Sequence, residues 1–400
     1  MIHMNTYKEV VLKPKKDEFL KRFHPWVFSG AVAYKSKEIE EGEIVKVLSH
    51  EKEFLGVGHY QIGSISVRIL SFKDVVINVD YYIERLSEAY KMRKHIGLIN
   101  SENNTYRLVH GEGDNLPGLI IDIYGNTAVL QAHSVGMHSD REKISEALRA
   151  VYGSDNLKNI FYKSEGTLPF KADIDPEDSY IFGGADVDDI AVENGLKFKI
   201  DWLKGQKTGF FIDQRENRTL LEKYSHRRNV LNMFSYTGGF SVYALRGDAA
   251  IVDSVDSSSK AISITDQNVQ LNFGDEPRHN SYSEDAFRFL NEIPDGKYDL
   301  IVLDPPAFAK HRGAVNNALQ GYKKLNHSAF AKIAKGGILF TFSCSQVISK
   351  EQFRLAVLSA AAISGRKVQI LHQLTQPADH PINIYHPEGE YLKGLVLYVE

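Results

Sequence analysis

Five groups of residues could carry a reaction or hold a ligand. Asp304-Pro-Pro-Ala-Phe ends the apolar run Tyr298-Asp-Leu-Ile-Val-Leu. The two prolines remove backbone donors and stiffen the exit, which presents the Asp304 carboxylate and nearby carbonyls to a planar substrate group. Cys344, the only cysteine, follows the run Gly337-Ile-Leu-Phe-Thr-Phe. A lone thiol there is either a small core residue or a nucleophile. Phe234-Ser-Tyr-Thr-Gly-Gly-Phe closes a third apolar run, and its Gly238 and Gly239 allow a ligand close to the backbone at a helix N-terminus. Asp256 stands 24 residues beyond Asn232, where a carboxylate can accept both hydroxyls of a ribose. Asp285, in Ser283-Glu-Asp-Ala-Phe, is either a helix cap or a partner for an adenine amino group.

The elements that must position these groups are legible from residue 229 onward. Apolar strands are expected at Val230-Leu-Asn-Met-Phe, Ala250-Ile-Val-Asp-Ser-Val, Tyr298 to Asp304, Gly337 to Phe342 and Lys367-Val-Gln-Ile-Leu. Helices are expected between them, at 239–246, 259–271, 315–335 and 350–364. Continuous apolar runs are buried on both faces, which argues an α/β doubly wound parallel sheet with ligands at the strand carboxyl ends. The final run, Leu392-Lys-Gly-Leu-Val-Leu-Tyr-Val, should pair antiparallel with the strand at 367–371.

Upstream, residues 1–73 show short glycine-punctuated strands, which predicts a small β-barrel. Residues 74–192 alternate strand and helix signals as a central α+β domain, and 193–400 form the third domain. The polar stretch 171–194 marks the second boundary. No run approaches the ~20 apolar residues that span a bilayer, and a signal-peptide core is missing, so a cytoplasmic protein with no membrane contact is expected. With one cysteine, no multi-thiolate metal site can form, and no metal is assigned.

A net charge of −3 carries no global signal for nucleic acid. Local patches do. Residues 1–35 and 204–228 each hold seven Lys/Arg against three acids, and 307–335 holds six with no acid. Lys310 and Arg312, directly after the Asp-Pro-Pro motif, are therefore candidate RNA contacts. Aromatic and basic residues interleave in Lys21-Arg-Phe-His-Pro-Trp-Val-Phe, where Arg22 and His24 are the better contacts and Trp26 and Phe28 are expected in the barrel core.

Residues 207–400 resemble a class I S-adenosylmethionine-dependent methyltransferase, with a Rossmann-like sheet. Arg22-Phe-His-Pro-Trp-Val-Phe-Ser-Gly-Ala resembles the start of a PUA domain, an RNA-binding pseudobarrel. Thr208-Gly-Phe-Phe-Ile-Asp-Gln-Arg-Glu-Asn-Arg, Asn232-Met-Phe-Ser-Tyr-Thr-Gly-Gly-Phe, Asp304-Pro-Pro-Ala-Phe and His386-Pro-Glu-Gly-Glu-Tyr-Leu-Lys-Gly are similar to the bacterial large-subunit ribosomal RNA cytosine-5 methyltransferases. One departure from the wider superfamily is that Asn232, Phe234 and Tyr236 stand where an acid and two glycines are usual.

The resemblance implies S-adenosylmethionine as cofactor and large-subunit ribosomal RNA as partner, with a homodimer left open. It places Phe234, Ser235, Tyr236, Thr237 and Gly238 on the methionine side, Asp256 at the ribose and Asp285 at the adenine. Asp213, Gln214 and Arg215 lie over the site, and Asp304 serves both cofactor and base. Cys344 is implied as the nucleophile, because cytosine C5 becomes nucleophilic only after a thiolate adds to C6. Some activation of the thiol by positive surroundings is expected, with the acid-free segment 307–335 as its source. A second cysteine, which assists release in some relatives, is replaced here by Ala307 and Phe308. The competing readings are a methyltransferase for another base such as guanine and an RNA-binding assembly factor with an inactive catalytic domain. A nicotinamide dehydrogenase would need a G-x-G-x-x-G turn that is missing after the first strand.

Overall fold

The structure, a computed structural model, describes residues 7–169, 174–185 and 187–400. It divides into two compact units. One takes the described residues up to Gly195 together with Ile200–Ile212 and Ala378–Gly389; the other takes Leu196–Lys199, Asp213–Pro377 and Glu390–Glu400.

The first unit contains two sheets. A six-stranded sheet runs in the order Trp26–Phe28, Ile65–Ser71, Phe54–Tyr60, Ile44–Leu48, Lys8–Leu12, Val32–Lys35. Its pairs are antiparallel except for Lys8–Leu12 beside Ile44–Leu48. Alternation puts Val10, Leu12, Val45, Val47 and Val67 inside. It also corrects one expectation. Val27 takes the inward position, so Phe28, expected in the core, is 39% exposed, while Trp26 is half-buried.

The second sheet of this unit has the order Ser179–Phe182, Asn159–Tyr162, Thr127–Ala132, Leu119–Tyr124, Thr105–His110. Helices Val79–His95 and Arg141–Tyr152 pack together and bury Tyr82, Leu86, Ile144 and Leu148 in its core. Helix Val79–His95 starts where Asn78 accepts the Tyr81 N–H and ends on Arg93, Lys94 and His95, which complement the helix dipole. The polar stretch 171–194 lies partly outside the described residues, at 171–173 and 186; its described part contains the strands Ser179–Phe182 and Ile190–Glu193.

Arg93 turns into this unit and is fully buried. It forms a bidentate pair with Asp114 and donates to the carbonyls of Arg107 at 2.9 Å and Asp379 at 2.8 Å. Removing one partner of such a pair strands a buried charge. Arg93→Ala is therefore expected to cost about 3–5 kcal/mol, read as a lower urea midpoint.

The second unit is built on a seven-stranded sheet. Its order is His279–Ser283, Ile251–Asp256, Asn229–Met233, Leu300–Leu303, Gly337–Ser343, Lys393–Val399, Val368–Leu374. The first five are parallel, and Lys393–Val399 is antiparallel to both its neighbours. Leu300–Leu303 and Gly337–Ser343 are buried at every residue, as their largely apolar runs require. Helices Gly239–Arg246 and Lys350–Ser364 have the expected bounds, the latter opened by a capping box between Ser349 and Gln352.

Three elements were not legible in the sequence: helix Arg215–Tyr224, strand His279–Ser283 and helix Ala286–Glu292. The strand reads His-Asn-Ser-Tyr-Ser because it lies at the sheet edge, paired only with Ile251–Asp256. An edge strand has no second neighbour demanding apolar contact, so no hydrophobic run announces it.

Candidate active site

Register brings the two chemical motifs together. Leu303 lies opposite Thr341 in the parallel pair, so Asp304 and Cys344 leave neighbouring interior strands at the same, carboxyl end of the sheet. The Cys344 thiol points at the Pro305 carbonyl, 4.0 Å away. Around it, Ser345 Oγ donates to the Ala309 carbonyl at 2.6 Å, which fastens the loop after the two prolines to the neighbouring strand end. Tyr322, on helix Val315–Lys332, accepts from Ser343 Oγ at 2.9 Å and stacks near Phe308, with ring centroids 4.6 Å apart.

A polar chain reaches this point from the segment preceding helix Arg215–Tyr224. Asn217 Nδ2 donates to Gln214 Oε1 at 2.6 Å, and Gln214 Nε2 donates to Asp304 Oδ2 at 3.0 Å. Tyr391 donates to Asp213 Oδ2 at 2.7 Å. Gln214, Arg215, Asn217 and Arg218 are all buried. Burial and the nearby Asp213 charge push the Asp304 carboxyl up to about 7, against smaller downward effects of the Gln214 hydrogen bond and the Arg218 charge. The carboxyl is thus a mixture of acid and anion at neutral pH.

The thiol goes the other way from the expectation. Burial, Asp304 and Asp213 push Cys344 up to about 12, and the cation that opposes them is Lys393 rather than a residue of 307–335. Lys310 and Arg312 are exposed at the surface. Lys393 is 5% exposed and donates to the Ser345 carbonyl. Its place inside a near-complete motif was visible in the sequence; its burial beside the thiol was not.

The turn after strand Asn229–Met233 is left-handed at three alternate residues, Phe234, Tyr236 and Gly238, with φ of 58°, 48° and 78°. Helix Ser259–Phe273 holds its carbonyls, with Thr265 Oγ1 donating to Tyr236 O at 3.0 Å and Asn268 Nδ2 to Thr237 O at 2.8 Å. Asp256 accepts the backbone N–H of Tyr236 and of Ser258, each at 2.9 Å. Among the described residues, the Ser235 and Thr237 hydroxyls and Asn232 Oδ1 are buried without a hydrogen-bond partner. Such groups are costly unless something entering the turn satisfies them. A Cβ at Gly238 would stand 2.5 Å from Thr265 Cγ2 in a backbone region that L-residues avoid. Gly238→Ala is expected to cost about 1–3 kcal/mol and to weaken S-adenosylmethionine binding about tenfold, measured by calorimetric titration.

Asp285 is exposed and caps helix Ala286–Glu292, accepting the Arg288 N–H at 2.8 Å. Arg22 and His24 lie in the first unit. Arg22 is exposed; His24 is half-buried, with Nδ1 accepting the Trp26 N–H at 3.2 Å and Nε2 3.7 Å from Glu388 Oε1. His24, His386 and Glu388 bring ligand-type atoms within 4.8 Å of one another. Because Nδ1 accepts, Nε2 carries the proton, and the group reads as an imidazole–carboxylate contact rather than a ligand set. Among the described residues no helix is long and apolar enough to cross a membrane.

Comparison with known proteins gives the same architecture. Residues 10–72 match a PUA-like domain and residues 176–384 an S-adenosylmethionine-dependent methyltransferase family. A protein of Alteromonas mediterranea named ribosomal RNA large subunit methyltransferase I is 37% identical over 395 residues, covering 98% of both chains. Its namesake in Escherichia coli is 36% identical over 395 residues, covering 98% of this chain and 99% of its own. A solved Streptococcus mutans structure, described as a candidate S-adenosylmethionine-dependent methyltransferase, superposes with TM-score 0.81 at 23% identity over 98% of this chain and all of its own. Another solved methyltransferase candidate, in complex with SAH, gives TM-score 0.82 at 24% identity with the same coverage. The α/β sheet with a PUA-like N-terminal domain is therefore a shared fold, and the chain belongs to the S-adenosylmethionine-dependent methyltransferase family that includes the ribosomal RNA large subunit methyltransferase I proteins.

Proposed function

We propose that this chain is a cytoplasmic methyltransferase that forms 5-methylcytosine in large-subunit ribosomal RNA, through a covalent bond between Cys344 and C6 of the base. The observation that carries this reading is the meeting of Cys344 and the Asp304-Pro-Pro loop at the carboxyl ends of neighbouring strands, with the thiol directed at the Pro305 carbonyl. The names of the full-length relatives support the substrate class. In this reading residues 1–73 hold RNA, residues 74–192 form the central domain and 193–400 carry the reaction.

The turn fits the cofactor, since the unpartnered Ser235 and Thr237 hydroxyls and the left-handed backbone leave a polar cradle. Phe234 to Gly238 would hold the methionine side, Asp256 the ribose and Asp285 the adenine, with Asp213, Gln214 and Arg215 above. When bound, S-adenosylmethionine supplies an electrophilic methyl group. Asp304 holds the exocyclic amine and N3 of cytosine and donates its proton to N3. Cys344 adds to C6, which turns C5 into the nucleophile. After C5 is methylated, its proton leaves to water, the C6–sulfur bond breaks to release Cys344, and N3 gives its proton back to Asp304.

Base flipping or a single-stranded target is required, because C6 is shielded in a stacked duplex. Arg22, His24, Lys310 and Arg312 are the proposed contacts to RNA. Several phosphate contacts make binding strongly salt-dependent. RNA affinity is expected to fall roughly tenfold or more between 50 and 200 mM salt, checked by filter binding. The test of the whole reading is transfer of labelled methyl to unmodified ribosomal RNA with nucleoside and position mapped. Methylguanine in the product would move the activity to the competing base, and no incorporation into any RNA would overturn it.

A further inference from the structure

Cys344 needs a proton acceptor, and the structure offers one that the proposed mechanism has not used. Lys393 faces Ser343 across the antiparallel ladder, one residue before the thiol. Its side chain donates to the carbonyl of Ser345, one residue after it, and its charge acts on the thiol between them. It is buried, and among the described residues it forms no ion pair with a carboxylate. Glu390, the nearest acid acting on it, is taken up by Lys350. A buried amine without a carboxylate partner, acting on a half-buried thiol, is the arrangement in which each group's charged form depends on the other.

We propose that Lys393 takes the proton of the Cys344 thiol and then stands as the counter-ion of the attacking and departing sulfur. This rests on Cys344 being the nucleophile. The S–H bond breaks and an N–H bond forms at Nζ, while the electron pair stays on sulfur and makes the bond to C6. On release the sulfur regains that pair, and the ammonium returns its proton.

The charges around the two groups support this division of labour. Burial, Asp304 and Asp213 disfavour a free thiolate, while burial and Lys350 lower Lys393 to about 8 against the raising effects of Cys344 and Glu390. Near neutral pH a neutral amine is therefore accessible, and the pair can hold one proton between them. Segment 307–335, whose Lys310 and Arg312 are exposed, is left for phosphates.

The test uses the full chain, S-adenosylmethionine and a large-subunit RNA transcript carrying 5-fluorocytidine. Fluorine at C5 blocks the final proton loss, so the protein–RNA adduct accumulates. Lys393→Met is expected to form adduct about 100-fold slower or worse, with S-adenosylmethionine affinity unchanged, whereas adduct at the unaltered rate overturns the proposal. Cys344→Ala should form none; adduct from that variant sinks the nucleophile assignment itself, whatever Lys393 does. Should Lys393→Met fail to fold, the unaltered chain still decides. Without RNA, iodoacetamide alkylation of Cys344 should level off near pH 8, where Lys393 titrates. A rate that keeps rising tenfold per pH unit beyond pH 9, as for a thiol held up near 12 with no acceptor for its proton, refutes the pairing.

Discussion

Cys344→Ala is expected to reduce methyl transfer to RNA by about four orders of magnitude or more, while S-adenosylmethionine affinity stays within twofold. The split follows from geometry. The unpartnered hydroxyls and the left-handed turn lie at the end of strand Asn229–Met233, whereas the thiol stands two strands away and hydrogen-bonds none of them. Without sulfur, C5 of cytosine has no route to sufficient nucleophilicity, so no neighbouring group compensates. Cys344→Ser should be equally inactive, since an alcohol is a far poorer nucleophile at neutral pH. Stability should change little, because the side chain is small and half-buried. Cofactor binding by calorimetry and single-turnover methylation are the two measurements. Full activity in either variant would end the covalent mechanism.

Asp304→Asn should lower kcat by about 10²–10⁴-fold and alter the response to pH in a defined direction. Asparagine keeps an acceptor for Gln214 Nε2 and can still hydrogen-bond the base, but it cannot give N3 a proton. In the unaltered enzyme the carboxyl, pushed up to about 7 by burial and Asp213, is the acid below that pH and the anion above it. Activity that depends on the acid form therefore falls as pH rises beyond about 7. The stability effect has the matching sign. A carboxyl raised from about 4 in the unfolded chain contributes most at low pH and loses that contribution as pH climbs through its folded value. Asp304→Asn should consequently compare better with the unaltered protein at pH 8 than at pH 5, in thermal melts at the two pH values. A variant with an unchanged pH–rate profile would remove Asp304 from the proton path.

The two variants probe groups that share a field. Asp304 and Asp213 act on Cys344 as like charges, so an Asp304 that stays protonated also spares the thiolate a repulsive neighbour. Gln214 and Tyr391 make that arrangement stable, each fixing one acid by a neutral donor. Replacing either donor should disturb the acid before it disturbs the fold.

How much of this was legible beforehand differs by element, and for physical reasons. Strands buried on both faces require largely apolar runs, so Leu300–Leu303 and Gly337–Ser343 could be placed from local composition, and with them the exits carrying Asp304 and Cys344. Helices with strong caps were equally plain, as at Ser349. Strand His279–Ser283 was not, because an edge needs no apolar signal. Phe28 was misplaced because a three-residue strand carries too little alternation to say which face is inward. Gln214 meets Asp304 across 90 residues and Lys393 meets Ser345 across 48, and no local period encodes such contacts. Local demands of burial and turn geometry thus wrote the inner strands, their exits and the residue types available for chemistry into the chain. Which charges surround the thiol emerges on folding, because an electrostatic field depends on distance in space and on solvent exclusion, neither of which is written along the chain.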